Sequence, residues 1–139
     1  MNITSDNKDP IKEAMIAMRD ENVEKSIIRI YDDSQRILLE ACKGGDLDLD
    51  NHWELNPIRN YNIALGFRKL DLTAFVHHRR FKKYNSDLGF SEYDAKLPIN
   101  AYSRGYDDFE EAVNVMKLLV VRVFKAGMSC HVYLDKYKD

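Results

Sequence analysis

The first apolar pattern along the chain has the spacing of an amphipathic helix. Asp9-Pro10 has the residue types of a helix N-cap and first helical position. Apolar residues then recur at helical intervals over Ile11–Met18 and, after a break, at steps of four and three over Val23–Ala41. Gly44-Gly45 is a suitable helix end. The spacing therefore predicts one kinked helix or a pair of helices over residues 10–43.

The clearest helical pattern lies near the C-terminus. Asp107 or Asp108 is placed to cap this helix, and Gly127 is placed to end it. Its apolar positions form one stripe, which we expect to be buried against a sheet. The stripe comprises Phe109, Ala112, Val113, Met116, Leu119, Val120 and Val123.

Four stretches favour β-strands. Apolar and polar residues alternate over Tyr61–Phe67, and Leu70–Tyr84 begins with many β-branched and aromatic residues. Lys69-Leu70-Asp71 is the expected hairpin connection between these two. Leu97–Ser103 and Ser129–Leu134 are shorter candidates on either side of the C-terminal helix. Because a helix connects them, we expect these last two strands to lie parallel in one sheet.

These elements predict a single α+β domain. It consists of a small, mostly antiparallel sheet covered by the C-terminal helix, with the long N-terminal helix or helix pair nearby. Residues 1–8 are polar and are predicted to be a disordered leader, so the domain spans residues 9–139. Residues 44–56 and Asn85–Lys96 are predicted to be loops, and Arg104-Gly105 is expected to end the third strand.

Composition bears on the cellular compartment. No apolar run approaches the ~20 residues that a bilayer-spanning helix needs, and the N-terminus has no apolar signal-peptide core. The two cysteines, Cys42 and Cys130, are too few for a disulfide framework and are predicted to be reduced. We therefore expect a cytoplasmic protein with no membrane partner.

Charge is unevenly distributed along the chain. The formal net charge is −2, yet residues 55–85 contain seven basic residues and a single acidic one, Asp71. If Phe75–Tyr84 is extended, cations and rings occur on both faces of the strand. Cations neutralise phosphates and rings stack on bases, whereas the alternative is a solvated, lysine-protected edge strand. The candidate ligand-binding residues are Arg68, Lys69, His77, His78, Arg79, Arg80, Phe81, Lys82, Lys83 and Tyr84, with Arg104 before the last helix.

The sequence lacks recognisable motifs for metal binding or catalysis. On a strand, His77-His78 cannot chelate one ion and Cys130-His131 cannot form a nucleophile–base pair, because neighbouring side chains point to opposite faces. The Asp46-x-Asp48-x-Asp50 run begins like an EF-hand loop but has Asn51 and Pro57 where that loop needs glycine and an acid. We predict no catalytic residue, no metal site and no cofactor.

The favoured hypothesis is a non-enzymatic binding or regulatory protein. Its basic, aromatic segment would recognise a phosphate-bearing ligand, a nucleic acid or an acidic protein surface. One alternative is a small enzyme whose active site is assembled from dispersed His, Asp, Arg and Tyr residues, and another is a structural subunit of a larger complex. The apolar Val23–Ala41 seam would cover either its own domain or a second copy, so we also predict a homodimer through the N-terminal helix.

Overall fold

The computed structural model describes residues 2–3, 9–20, 25–44, 59–93, 98–126 and 130–137. The described helices are α1 (Pro10–Asp20), α2 (Leu72–Leu88) and α3 (Phe109–Leu118), and α3 continues into a π-helical turn (Leu119–Val123). The described strands are β1 (Asn2–Ile3), β2 (Lys25–Tyr31), β3 (Ile37–Lys43), β4 (Tyr61–Arg68), β5 (Ser91–Tyr93), β6 (Ile99–Tyr106) and β7 (His131–Tyr137).

The strands form one sheet in the order β1-β7-β2-β3-β4-β6-β5. Each described neighbouring pair is antiparallel. β6 and β7 point the same way with β2, β3 and β4 between them, which confirms that the strands flanking the C-terminal helix are parallel. The predicted α+β class and mostly antiparallel sheet are also confirmed.

The C-terminal helix packs on the sheet as predicted. Asp108 is its N-cap, because the Asp108 side chain accepts a hydrogen bond from the backbone N–H of Glu111. Phe109 is partly buried, and its ring meets the ring of Tyr61 edge-on at 5.6 Å. The other six residues of the predicted stripe are buried in the core, namely Ala112, Val113, Met116, Leu119, Val120 and Val123.

The predicted N-terminal helix is correct only over α1. Its continuation is wrong, because residues 25–43 form a β-hairpin of β2 and β3. The side chain of Asp32 stabilises the turn by accepting hydrogen bonds from the backbone N–H groups of Ser34 and Arg36. Adjacent Ile27 and Ile28 are both buried, so both faces of β2 are apolar there. A strand buried on both faces lacks two-residue alternation, and its apolar residues matched a helical spacing instead.

The hairpin removes the surface on which the homodimer prediction was based. Ile27, Ile30 and Ala41 lie within the sheet and are buried in the domain itself. The apolar residues of α1 are buried as well, namely Ile11, Ala14, Met15 and Met18. Self-association stays a prediction without a helical seam to support it.

The predicted strand over Leu70–Tyr84 is also wrong, because most of this segment lies in helix α2, which begins at Leu72. Leu70 turns the chain with a φ of 65°, and Asp71 then caps the helix by accepting a hydrogen bond from the N–H of Ala74 at 3.0 Å. Gly89 ends the helix with a φ of 73°. The expected hairpin at residues 69–71 is therefore a strand-to-helix turn.

Two smaller predictions need correction. The Asn85–Lys96 loop includes the last turn of α2 and strand β5, while residues 94–97 lie outside the described part of the chain. Arg104-Gly105 does not end the third strand, because β6 continues to Tyr106. The predicted loop over residues 44–56 is described only at Gly44, and Gly127 lies outside the description.

The predicted leader is described at Asn2 and Ile3 alone, where β1 pairs with β7. Cys42 and Cys130 are both buried, and neither forms a disulfide. Among the described residues, no helix has the length and apolar character needed to span a bilayer.

Two neighbouring valines test the placement of the C-terminal helix. Val120 is 1% exposed, whereas Val121 is 50% exposed in the same π-helical turn. We expect Val120→Asp to lower the free energy of unfolding by about 3 kcal/mol or more, because it buries an unpaired charge. Val121→Asp should change it by less than ~1 kcal/mol. Thermal unfolding followed by circular dichroism checks this, and equal melting temperatures for the two variants would contradict the placement.

Candidate functional site

The helix α2 divides the predicted ligand-binding residues between an outer and an inner face. Arg79, Lys82 and Lys83 are exposed on the outer face. Phe81 is completely buried on the inner face. His77 and His78 are half-buried along its sides. The helical period, rather than the strand period, therefore decides which of these groups can meet a ligand.

The inner face of α2 is held by an aromatic cluster, which we define as Phe67, His78, Phe81, Phe90, Tyr102 and Phe124. The ring centroid of Phe81 lies 4.7 Å from that of Tyr102 and 5.4 Å from that of Phe67. Phe67 in turn stacks on His78 at 4.8 Å and on Phe124 at 5.9 Å. Ring contacts at these distances stabilise beyond simple area burial. The cluster joins α2, the sheet and the end of α3.

A hydrogen bond within this cluster joins His78 to Tyr102. His78 Nε2 lies 2.8 Å from the hydroxyl oxygen of Tyr102, and the imidazole tautomer sets which of the two groups donates. Burial, assisted by the charge of Glu92, raises the pKa of Tyr102. The hydrogen bond and the contact between the two rings, whose centroids are 5.5 Å apart, together fix the orientation of both side chains.

The two histidines favour their neutral forms. Burial lowers the pKa of His77, and the nearby Arg80 guanidinium lowers it further. Burial also lowers the pKa of His78, with a second contribution from Lys82. The ring of His77 meets that of Phe124 edge-on at 5.1 Å. In the part of the chain that is described, no group of three or more His, Cys, Asp or Glu side chains is arranged to hold a metal.

Two of the predicted binding arginines are engaged at helix C-termini. Arg80 donates a hydrogen bond to the carbonyl of Val123 at 3.1 Å, at the end of the π-helical turn. Arg104 donates to the carbonyl of Leu88 at the end of α2, and its guanidinium lies over the Tyr106 ring at 4.5 Å. Cations are favourable at these ends because helix carbonyls concentrate negative partial charge there. Both side chains thus stabilise the domain.

The remaining cations lie beside exposed apolar residues. Leu72 is 79% exposed and Phe75 is 57% exposed, and both lie on the same helix face as Arg79. Within the described ranges, Arg79, Lys82 and Lys83 form no ion pair. We define the α2 surface as Leu70, Leu72, Phe75, Val76, Arg79, Lys82 and Lys83.

Sequence reasoning found the cations of this surface but not its apolar half. An extended Phe75-Val76 pair would point to opposite faces, whereas on α2 both side chains are exposed together. The helical period, counted from the Asp71 cap, would have placed Phe75 and Val76 on the same side of the helix. Arg68 and Lys69 are exposed just before α2, and Tyr84 is partly buried against the core.

Comparisons with known proteins give no match. No protein-family model, curated protein or solved structure corresponds to this chain.

Two phenylalanines of α2 test the division of its faces. Phe81→Ala should lower the free energy of unfolding by about 3–5 kcal/mol, because it removes a fully buried ring from the cluster. Phe75→Ala removes an exposed ring and should change it by less than ~0.5 kcal/mol. Urea unfolding measures both values. Similar losses in the two variants would mean that α2 is rotated from the orientation described.

The lowered pKa values of His77 and His78 predict a pH dependence of stability. Each lies below its ordinary value of 6.5, so the unfolded chain binds these protons more readily than the folded chain. The stabilisation is complete above that pH and is lost as pH falls through the lowered values. Urea midpoints measured from pH 7 to about pH 5 should fall. The slope should be smaller in a His77→Asn, His78→Asn variant, and an unchanged slope would contradict the assignment.

Proposed function

We propose that this chain is a non-enzymatic binding or regulatory protein whose α2 surface recognises an acidic surface of another protein. The observation that carries this proposal is the exposure of Phe75 on the helix face that also presents Arg79 and Lys83. Exposed apolar residues beside uncompensated cations are costly to maintain in a monomer and useful in an interface.

The apolar half of the surface favours a protein partner over a phosphate-bearing ligand. A phosphate needs hydrogen-bond donors and positive charge, and gains nothing from Leu72, Phe75 or Val76. Protein interfaces combine apolar or aromatic anchors at their centre with charged residues at the rim. Here Phe75 is the natural anchor, and Arg79 and Lys83 are one and two helical turns away.

The orientation of the rings also disfavours nucleic acid. Binding to single strands typically uses several exposed rings on which successive bases stack. Phe81 is completely buried and Tyr84 packs against the core, so Phe75 is the best exposed ring of the basic segment. A single exposed ring among aliphatic side chains is a poor stacking platform but a suitable interface anchor.

Charge supports an acidic partner. Arg79, Lys82 and Lys83 lie within two turns of one helix, well inside the ~10 Å screening length at 0.1 M salt. Their positive potentials therefore add, although the formal net charge of the whole chain is −2. Complementary charge accelerates association and orients the partner, while the apolar anchor supplies contact area.

A labelled amphipathic peptide with alternating glutamate and leucine or phenylalanine residues is a direct probe. We expect Arg79→Glu, Lys83→Glu to weaken its binding at least tenfold, or about 1.4 kcal/mol. Phe75→Ala should weaken it similarly at unchanged net charge, because the anchor is lost. Fluorescence anisotropy measures the affinity, and the parent's affinity should fall as salt rises.

The matched control is Lys12→Glu, Arg59→Glu, which changes net charge equally. Both of these side chains are about half exposed, and their charged ends make surface ion pairs with Glu110 and Asp107, so the fold should tolerate the changes. Equal weakening by the control would reduce the effect to overall charge and overturn the proposal. A parent that binds a mixed-sequence single-stranded oligonucleotide more tightly than the peptide would favour nucleic acid instead.

A further inference from the structure

β3 and β4 are paired over only half of their length. Their ladder joins Glu40–Lys43 to Tyr61–Ala64 and stops there. Opposite β2, β3 contains an irregularity at Leu38, because Ile30 pairs with Leu39 while Tyr31 pairs with Ile37. An extra residue of this kind bends and twists its strand. Beyond the ladder the two strands part, and a cleft opens between them.

The cleft has a volume suited to a small molecule. It measures about 650 Å³, within the ~300–1,000 Å³ of typical ligand sites. Its apolar lining includes Leu38, Leu65, Phe67 and Phe124, so two rings of the aromatic cluster form part of its wall. Ala74 of α2 also lines it, and its short side chain leaves the space open.

The charged lining of the cleft is nearly balanced. Arg29 pairs with Glu40 at 2.9 Å, and Arg36 pairs with Asp71 at 3.6 Å. Arg68 also lines the cleft, is exposed, and makes no ion pair with any described residue. The lining residues therefore include three arginines and two carboxylates. Because Asp135, outside the lining, also pairs with Arg29 at 2.9 Å, Arg68 is the arginine of the lining without an ion pair among the described residues.

We propose that this cleft binds a small amphipathic monoanion, of the class of aromatic carboxylates and sulfonates. The apolar walls fit the body of such a molecule, and the guanidinium of Arg68 fits its single anionic group with paired hydrogen bonds. Tyr31 and Tyr93 also line the cleft. This site is separate from the α2 surface and does not depend on the function proposed for it.

The aromatic sulfonate 8-anilinonaphthalene-1-sulfonate is a suitable probe, because its fluorescence rises in apolar surroundings. We expect the folded full chain to bind it saturably with one molecule per chain. Arg68→Gln should weaken binding by about fivefold or more, since a charged hydrogen-bonding partner is lost. Lys69→Gln is the matched control: it removes the same charge from the adjacent exposed residue, which does not line the cleft. Its affinity should stay within about twofold of the parent's.

Three further arms test where and how the probe binds. Ala74→Leu should abolish binding of the anionic probe, because the larger side chain fills the cleft. Circular dichroism checks that this variant is folded. The neutral analogue N-phenyl-1-naphthylamine should bind the Arg68→Gln variant as well as it binds the parent. In two-dimensional NMR the anionic probe should shift the amides of Leu38, Gly66 and Phe67.

Equal effects of Arg68→Gln and Lys69→Gln, non-saturable binding, or shifts confined to α2 surface residues would each overturn the proposal.

Failure of the cleft proposal can be distinguished from failure of the function proposed for the α2 surface. Arg79→Glu, Lys83→Glu should leave binding of the anionic probe unchanged, because neither residue lines the cleft. Conversely, the Arg68→Gln variant should bind the acidic peptide with an affinity within about threefold of the parent's, as expected for one peripheral charge. Displacement of the anionic probe by the acidic peptide would show that the two sites are one and would overturn the proposal of a separate cleft site.

Discussion

The ring of Phe81 lies 5.4 Å from that of Phe67, and this contact sets the rotation of α2 about its own axis. Phe81 is the one buried residue among the described side chains of α2. Ala74, Tyr84 and Leu88 pack partly buried beside it, and the opposite face of the helix is exposed. With Phe81 pointing inward, the helical period places Arg79 and Lys83 outward. The exposed surface is thus a consequence of how the inner face of α2 packs on the core.

The arginine and lysine side chains among the predicted ligand-binding residues serve two separate purposes. Arg80 and Arg104 reach helix C-termini, where the partial negative charge of the carbonyls stabilises them. Lys82 and Lys83 are exposed on the outer face. A count of charges along the sequence treats these groups alike. Only the three-dimensional position separates a cation that stabilises the fold from one that is free to meet a partner.

The success of sequence prediction followed the strength of each periodic signal. α3 and β4 were predicted because one face of each carries a regular apolar pattern, and Asp108 adds an explicit cap. α2 was missed because its inner face has few apolar residues, namely Ala74, Phe81, Tyr84 and Leu88, and because Phe75-Val76 has high strand propensity. The binding segment was therefore located by charge, but its faces and the cleft depend on tertiary packing that no local pattern encodes.

Two irregularities of secondary structure border the same cleft. One is the extra residue Leu38 in β3, and the other is the π-helical turn that ends just before Phe124. Bulges and π-helical turns give up regular hydrogen bonding, and both are frequent next to functional sites. Leu38 lies in the half of β3 that is not paired with β4, and Phe124 directly follows the π-helical turn. Regular hydrogen-bonded pairing of β3 is therefore interrupted at the position where a ligand-sized space is open.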